Sequence, residues 1–483
     1  MRGHVLRRYF GLIGVASLLV AVSANQVALA KSTTPPPAKF TPNVRADASL
    51  GTSGQGDNEP QTTVDQTGMA YVTWQGGPGP MVASTSTGQS FGAAISPDPN
   101  TVSVGDVELA TTTAPRPGTD VAPGQSGANG VFWGDIGQTA CGALEIREAT
   151  SASQGASWSA TDAACDPNQV DRPWIAAYTP AQYRGTSAAL AHTEVFFEHH
   201  NFTTSDVSVT RSFDGGTTWN QAPQSVEQPG SFQQLDTTCN SIPSGIAFDQ
   251  RGAHPGRVYA IWETSDLINN LGLGCNYTQA QTFDRLFYSY SDDGGTTWTS
   301  GTVFTDPGCN QGTVASGTSF PNGCQDMSEL FNGLAVDDAG NVYAGFAWRD
   351  PTASTPEYDI YVAKGTPQPS GGVSFGKAVK VNRDGGTHYM PWGIFCGLSP
   401  AQFNWGEDRI LFDDFGVAIG PDGAARVAWT DARDSWSATC GPGVSPNDDS
   451  NVSCQKTYVY FACQSGGVGL YGKGVSGCPQ AKH

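Results

Sequence analysis

Charged side chains are scarce in this sequence, and they gather at the ends of apolar runs. Asp, Glu, Lys and Arg make up 14% of the 483 residues, well under the quarter usual for soluble domains. Asp171-Arg172-Pro173 opens one apolar run, and Glu198-His199-His200 closes the next. Glu59, Asp106, Asp326, Glu329, Asp413 and Asp414 stand before other such runs. Asp135, Glu263, Arg349, Asp350, Asp431, Arg433 and Asp434 follow them. Arginine forks there could grip a carboxylate-bearing ligand in bidentate fashion. Carboxyl groups in the same loops could act as general acid or base, and paired acids about 5–10 Å apart would suit glycoside hydrolysis. The competing reading of each is solvated loop charge or strand-end capping. His199 and His200 are neighbours on a strand end, so they point to opposite faces and make a poor metal pair. Oxygen-rich loops at 166–171 and 447–451 could hold calcium without EF-hand spacing, and no other cofactor is expected.

Two repeated elements must position these residues. The stretches 212–219 (SFDGGTTW) and 291–298 (SDDGGTTW) share the pattern Ser-x-Asp-x-Gly-x-Thr-Trp. Each follows a strand-like run and reads as a hairpin bend. Its Asp accepts turn N–H groups, its glycines supply positive φ, and its Trp packs back over the turn. Ser212, Asp214, Gly216 and Trp219, with Ser291, Asp293, Gly295 and Trp298, are therefore structural. Fainter copies start at Ser84 and Ser151, with Ser in place of Asp, and a weaker one covers 370–375. The second element is an apolar strand, an Asp/Gly turn and an apolar strand ending in an aromatic residue, as in VDQTGMAYVTW and LAVDDAGNVYAGFAW. Six such inner hairpins can be traced. A long, uneven repeat of this kind predicts the blades of a propeller.

The bends resemble the Asp-box, or bacterial neuraminidase repeat, and the chain is similar in this to the sialidase superfamily. The resemblance implies an all-β, six-bladed propeller of four-stranded antiparallel blades. The segment FTPNVRADA from Phe40 looks like the strands that follow the bends, and it is expected to complete the last blade and close the ring. The family grips the sugar carboxylate with three arginines, which maps here onto Arg172, Arg349 and Arg433. The implied acid is Asp171, and the implied Glu-activated Tyr nucleophile is Tyr389 with Glu329. Asp171-Arg172-Pro173-Trp174 is the nearest match to the family's Arg-Ile/Leu-Pro motif but lacks its apolar residue. The implied activity is hydrolysis of terminal sialic sugars from a glycan or glycoprotein. A non-catalytic propeller that binds glycan or protein is the alternative.

Bulk composition sets the compartment and partners. Residues 1–30 read as a secretory signal, with Arg2, Arg7 and Arg8 before an apolar stretch and Ala28-Leu29-Ala30 at its end. A Pro-rich linker (31–39) precedes the propeller (40–463), and a Gly-rich tail (464–483) follows. A secreted, extracellular monomer is expected. The 11 cysteines can then oxidise, the odd count leaving one without an internal partner. A net charge of −19 argues against nucleic acid and anionic membrane as partners.

Overall fold

Short runs of alternating apolar residues, each broken by a Gly-, Asp- or Pro-bearing turn, fold into sheets whose members are consecutive along the chain. A computed structural model describes residues 39–466 apart from 41–43, 51–57, 66, 76–78, 100–102, 114–129, 138–144, 165–169, 202–205, 228–241, 266–282, 307–331, 349–356, 381–387, 390–396, 400–401, 407–414, 421 and 432–457. Two short strands, β1 (Lys39–Phe40) and β2 (Val44–Arg45), precede the first blade of β3 (Asn58–Val64), β4 (Ala70–Gln75) and β5 (Met81–Thr85). The second blade is β6 (Ser103–Thr111), β7 (Val131–Gly137), β8 (Glu145–Ser151) and β9 (Ser159–Ala164). The third is β10 (Val170–Tyr178), β11 (Glu194–Asn201), β12 (Asp206–Ser212) and β13 (Asn220–Ser225). The fourth is β14 (Ile242–Phe248), β15 (Val258–Ser265), β16 (Phe283–Ser291) and β17 (Thr299–Thr305). In the fifth, β18 (Gly333–Val336), β19 (Val342–Trp348) and β20 (Glu357–Pro367) are edged by β21 (Val373–Phe375), β22 (Val379–Lys380) and β23 (His388–Tyr389). A separate hairpin, β24 (Gly397–Ser399) and β25 (Gln402–Gly406), leads to the sixth blade of β26 (Phe415–Ile419), β27 (Ala425–Asp431) and β28 (Tyr458–Gly466).

The ring closes as the sequence predicts. Inner strands β3, β6, β10, β14, β18 and β26 pack in succession, and β26 returns to β3. Gly416 lies so close to the first blade that a Cβ there would fall 2.3 Å from the Thr62 nitrogen. β1 and β2 pair with β28, Phe40 opposite Gln464 and Val44 opposite Phe461, so the N-terminal segment supplies the outer strand of the last blade. Closure removes the open edges that a linear array of sheets would present. Between blades the second strands contribute Trp74, Trp133, Trp262 and Trp429, all essentially fully buried. Each withdraws on the order of 200 Å² of ring from water.

Inner strands run from an upper to a lower end, so the bends after the third strands lie at the lower end. Ser212 Oγ donates to Asp214 Oδ1 (2.8 Å) and accepts from Gly216 N (3.0 Å), while Asp214 accepts from Thr218 N (2.8 Å) and Thr218 Oγ1 (2.6 Å). Trp219 Nε1 donates to Gly216 O (2.9 Å). Ser291, Asp293, Gly295, Thr297 and Trp298 repeat every one of these bonds. In the second blade Ser153 replaces the Asp, taking Ser157 N at 2.9 Å. The first blade departs from the expected frame: Thr85, not Ser84, accepts the bend N–H groups of Thr87 and Gly88. Among the described residues its outer segment forms no regular strand, meeting the third strand through the Val82–Ile95 bridge and the bond from Gly92 N to Ser84 O at 2.9 Å. Pro97 and Pro99 follow at once, and proline cannot donate to a ladder. The weak copy at 370–375 is a tight turn in which Gly371 N donates to Gln368 O at 2.9 Å.

Candidate functional site at the upper end of the ring

Near the upper end, the first four inner strands each slip register against their second strand. The slips fall between Asn58 and Gln61, Gly105 and Val107, Asp171 and Trp174, and Pro243 and Gly245. A bulge re-aims the side chain of its extra residue and leaves backbone strain behind. The strain is visible here. Asp106 (φ 53°) and Arg172 (φ 64°) are two of the three non-glycine residues with positive φ among the described residues. In the fourth blade the extra residue is Ser244, and Gly245 just after it stands at φ 146°, where an added Cβ would meet Leu334 Cβ at 3.1 Å and Asn332 O at 3.2 Å. Asp106 is half-buried, and Arg172 is 9% exposed.

The acids that leave the second strands do something different. Glu198 is fully buried, and its Oε2 accepts from Gly245 N of the next blade at 3.0 Å. Glu263 does the same one blade on, its Oε1 taking Asn332 Nδ2 at 2.7 Å. Asp135 accepts from Gln75 Nε2 of the preceding blade at 3.2 Å. These carboxyls latch adjacent blades. Glu108, on the second inner strand, accepts from Leu109 N at 3.2 Å. Burial, reinforced by the nearby Glu198 charge, holds Glu108 well above the usual carboxylate range. Burial holds Glu198 up likewise, against the backbone hydrogen bonds of Gly245 and Ser244. His199 Nε2 lies 2.9 Å from Thr210 Oγ1, a neighbour on its own sheet. Among the described residues no three His, Cys, Asp or Glu side chains come together as a metal site.

The residues singled out from sequence are thus only partly brought together. Asp171 and Arg172 sit side by side at the upper end of β10, Asp171 opposite His200. Tyr389 lies on β23, three strands out from the axis, paired with Glu357. Glu329, Arg349 and Arg433 lie outside the described residues, as do both calcium-loop candidates save for 170–171. Sequence alone does not single out Glu108, because a single acid inside VELAT looks like the solvent-facing residue of an alternating strand. A six-bladed ring buries both faces of that strand. Among the described residues, neither 212–219 nor 291–298 lines the axial cavity. That cavity, about 780 Å³, runs along the axis between the inner strands.

No family model and no curated protein matches the chain. Solved structures with a similar trace include a Hadza microbial sialidase, at 10% identity over 84% of this chain and 65% of that one, with a TM-score of 0.41. The chain thus spans less than two thirds of that relative's length. A second is the NanB sialidase of Streptococcus pneumoniae, at 8% identity over 86% and 69% of the two chains, TM-score 0.42. A third is an α-L-arabinofuranosidase of Fusarium graminearum, at 9% identity over 89% and 97%, TM-score 0.42.

Proposed function

We propose that this chain is a secreted, sialidase-like glycoside hydrolase that works at the upper end of the ring on terminal acidic sugars of glycans. The observation that carries the proposal is the pair of left-handed bulge residues, Asp106 and Arg172, on neighbouring inner strands. Strain of this kind persists where the surrounding structure holds a side chain for a task. A guanidinium so held suits the carboxylate of an acidic sugar. Asp171, adjacent in sequence, is the proposed acid for the leaving oxygen, and Arg349 and Arg433 the proposed partners of Arg172. The resemblance of the bends to the Asp-box supports the same reading. Calcium remains a proposed ligand of the two oxygen-rich loops.

A non-catalytic glycan-binding propeller is the second reading. It is favoured by Asp135, Glu198 and Glu263, whose carboxyls are taken up in latches between blades. Purified protein offered a sialoside of a fluorescent alcohol, beside neutral glycosides, separates the two. The proposal expects release from the sialoside alone. Binding to arrayed glycans with no turnover of any glycoside contradicts it and supports the second reading.

A further inference from the structure

Each inner strand is hydrogen-bonded to its own blade on one side only, so the N–H groups of its other edge need partners from elsewhere. The need is sharpest beside a register slip, where ladder bonds are lost and left-handed residues must be held by their surroundings. In the fourth blade the partner comes from the blade before. Glu198 of the third blade accepts from Gly245 N at 3.0 Å and from Ser244 N, both at the slip of β14.

The third blade, which carries Arg172, is served from the second by a different residue. Asp135 stands on β7 where Glu198 stands on β11, opposite the inner-strand residue just past the slip. Its Oδ1, however, accepts from Gln75 Nε2 of the first blade. Glu108, on the inner strand β6, reaches forward instead. It accepts from Leu109 N of its own strand at 3.2 Å and from Ile175 N of β10. Trp174, where the β10 ladder resumes below the slip, immediately precedes Ile175. Glu108 follows Asp106 by two residues and Ile175 follows Arg172 by three, so one carboxyl spans the two inner strands that carry left-handed residues. Glu198, opposite Trp174, lies near enough for its charge to act on Glu108. With only 7% of its surface exposed, Glu108 is placed to act through its neighbours and not on a ligand.

We infer that Glu108 is a positioning residue: by holding Ile175 N from the neighbouring blade it fixes the lower end of the β10 bulge, and with it the placement of Arg172. This role presupposes that Arg172 is the carboxylate grip proposed above, but the state of the bulge can be measured with no substrate present.

Three variants of the full-length protein test it. Glu108→Gln keeps an acceptor oxygen at the same reach, Glu108→Asp draws it back by one methylene, and Glu108→Leu removes it. Amide exchange read by mass spectrometry should be about tenfold faster in peptides from 170–178 for the Asp and Leu variants, the scale of one lost buried hydrogen bond. Peptides from 415–431, on the far side of the ring, should be unchanged, and Glu108→Gln should match wild type throughout. With a fluorogenic sialoside, the Asp and Leu variants should raise KM about tenfold at a nearly constant kcat, because a displaced guanidinium loosens its grip in ground and transition state alike. Glu108→Gln should restore the wild-type KM. Should the Leu variant not fold, the Asp variant decides. Unchanged exchange in 170–178 overturns the proposal. So does exchange that rises equally in every blade, which marks a purely structural role, or a loosened bulge with an unchanged KM. If the wild type turns over no sialoside, the hydrolase reading alone falls, and the exchange comparison still decides whether Glu108 holds the bulge.

Discussion

Carboxyl groups at the two ends of this ring live in opposite circumstances. At the lower bends Asp293 is exposed and saturated with donors. Desolvation acts to raise it. It is outweighed by hydrogen bonds from Thr297 N, the Ser291 and Thr297 hydroxyls and Thr296 N, which pull it down to about 2. Asp214 is lowered by the same set of donors, likewise against desolvation. Between the second and third blades Glu148 is pushed up to about 7 by burial, which the hydrogen bond from the Thr150 hydroxyl only partly offsets. Its carboxylate lies against Gly216 of the neighbouring bend. Glu108 and Glu198 are held well above the usual carboxylate range by the same cause. The bends use a charge that local N–H groups create a place for. The seams bury carboxyls whose pKa that burial raises, which gives them a pH dependence of the opposite sign.

The largest effect expected is at the anchor of a bend. Trp298→Ala removes a ring that is 8% exposed and the bond to Gly295 O at 3.1 Å. It should lower stability by about 3–5 kcal/mol in chemical denaturation. A smaller loss would mean that the bend stands without its tryptophan. Next is the seam. The folded-state pKa of Glu148 lies above its unfolded value, so its contribution is complete below about pH 4.5 and is lost as pH rises through about 7. The wild-type melting temperature should therefore fall between pH 5 and pH 9, by the equivalent of about 3 kcal/mol from this group. Glu148→Gln should flatten that slope, and a slope unchanged by the substitution would refute the contrast. Smallest is Asp293→Ala, expected to lower stability by about 1 kcal/mol at neutral pH. Because the Asp293 pKa is depressed, its contribution is present above the ordinary carboxylate range and is lost only as pH falls through about 2. Between pH 5 and pH 9 the Asp293→Ala difference should stay constant.

These contrasts also mark what sequence could and could not carry. The bends are local: Ser, Asp, Gly, Thr and Trp within eight positions fix their own hydrogen bonds, so both strong copies and the Ser-substituted one at Ser151 read correctly. Ring closure was legible because Phe40 and its neighbours imitate the strands that follow the bends. The upper bulges were not. A register slip between Asp171 and Trp174 depends on where β11 pairs, and only Pro173, which cannot donate to a ladder, hints at it locally. The latches share this non-locality. The clustering of Glu198 and Glu263 at strand exits is legible in the sequence, but that Glu198 serves the next blade's backbone and Glu263 its Asn332 side chain depends on how the blades nest. The shift from Ser84 to Thr85 in the first blade is a one-residue choice between two hydroxyls that either could fill.

One kinetic comparison tests the claim that the working face lies opposite the bends. The kcat/KM for a fluorogenic sialoside should be measured for wild type, Arg172→Ala and Asp214→Ala, each checked for an unchanged circular dichroism spectrum. The account predicts a loss of at least about 100-fold for Arg172→Ala, the scale of removing a charged group from a catalytic site, and a change within about twofold for Asp214→Ala. Full activity in Arg172→Ala beside a large loss in Asp214→Ala would contradict it.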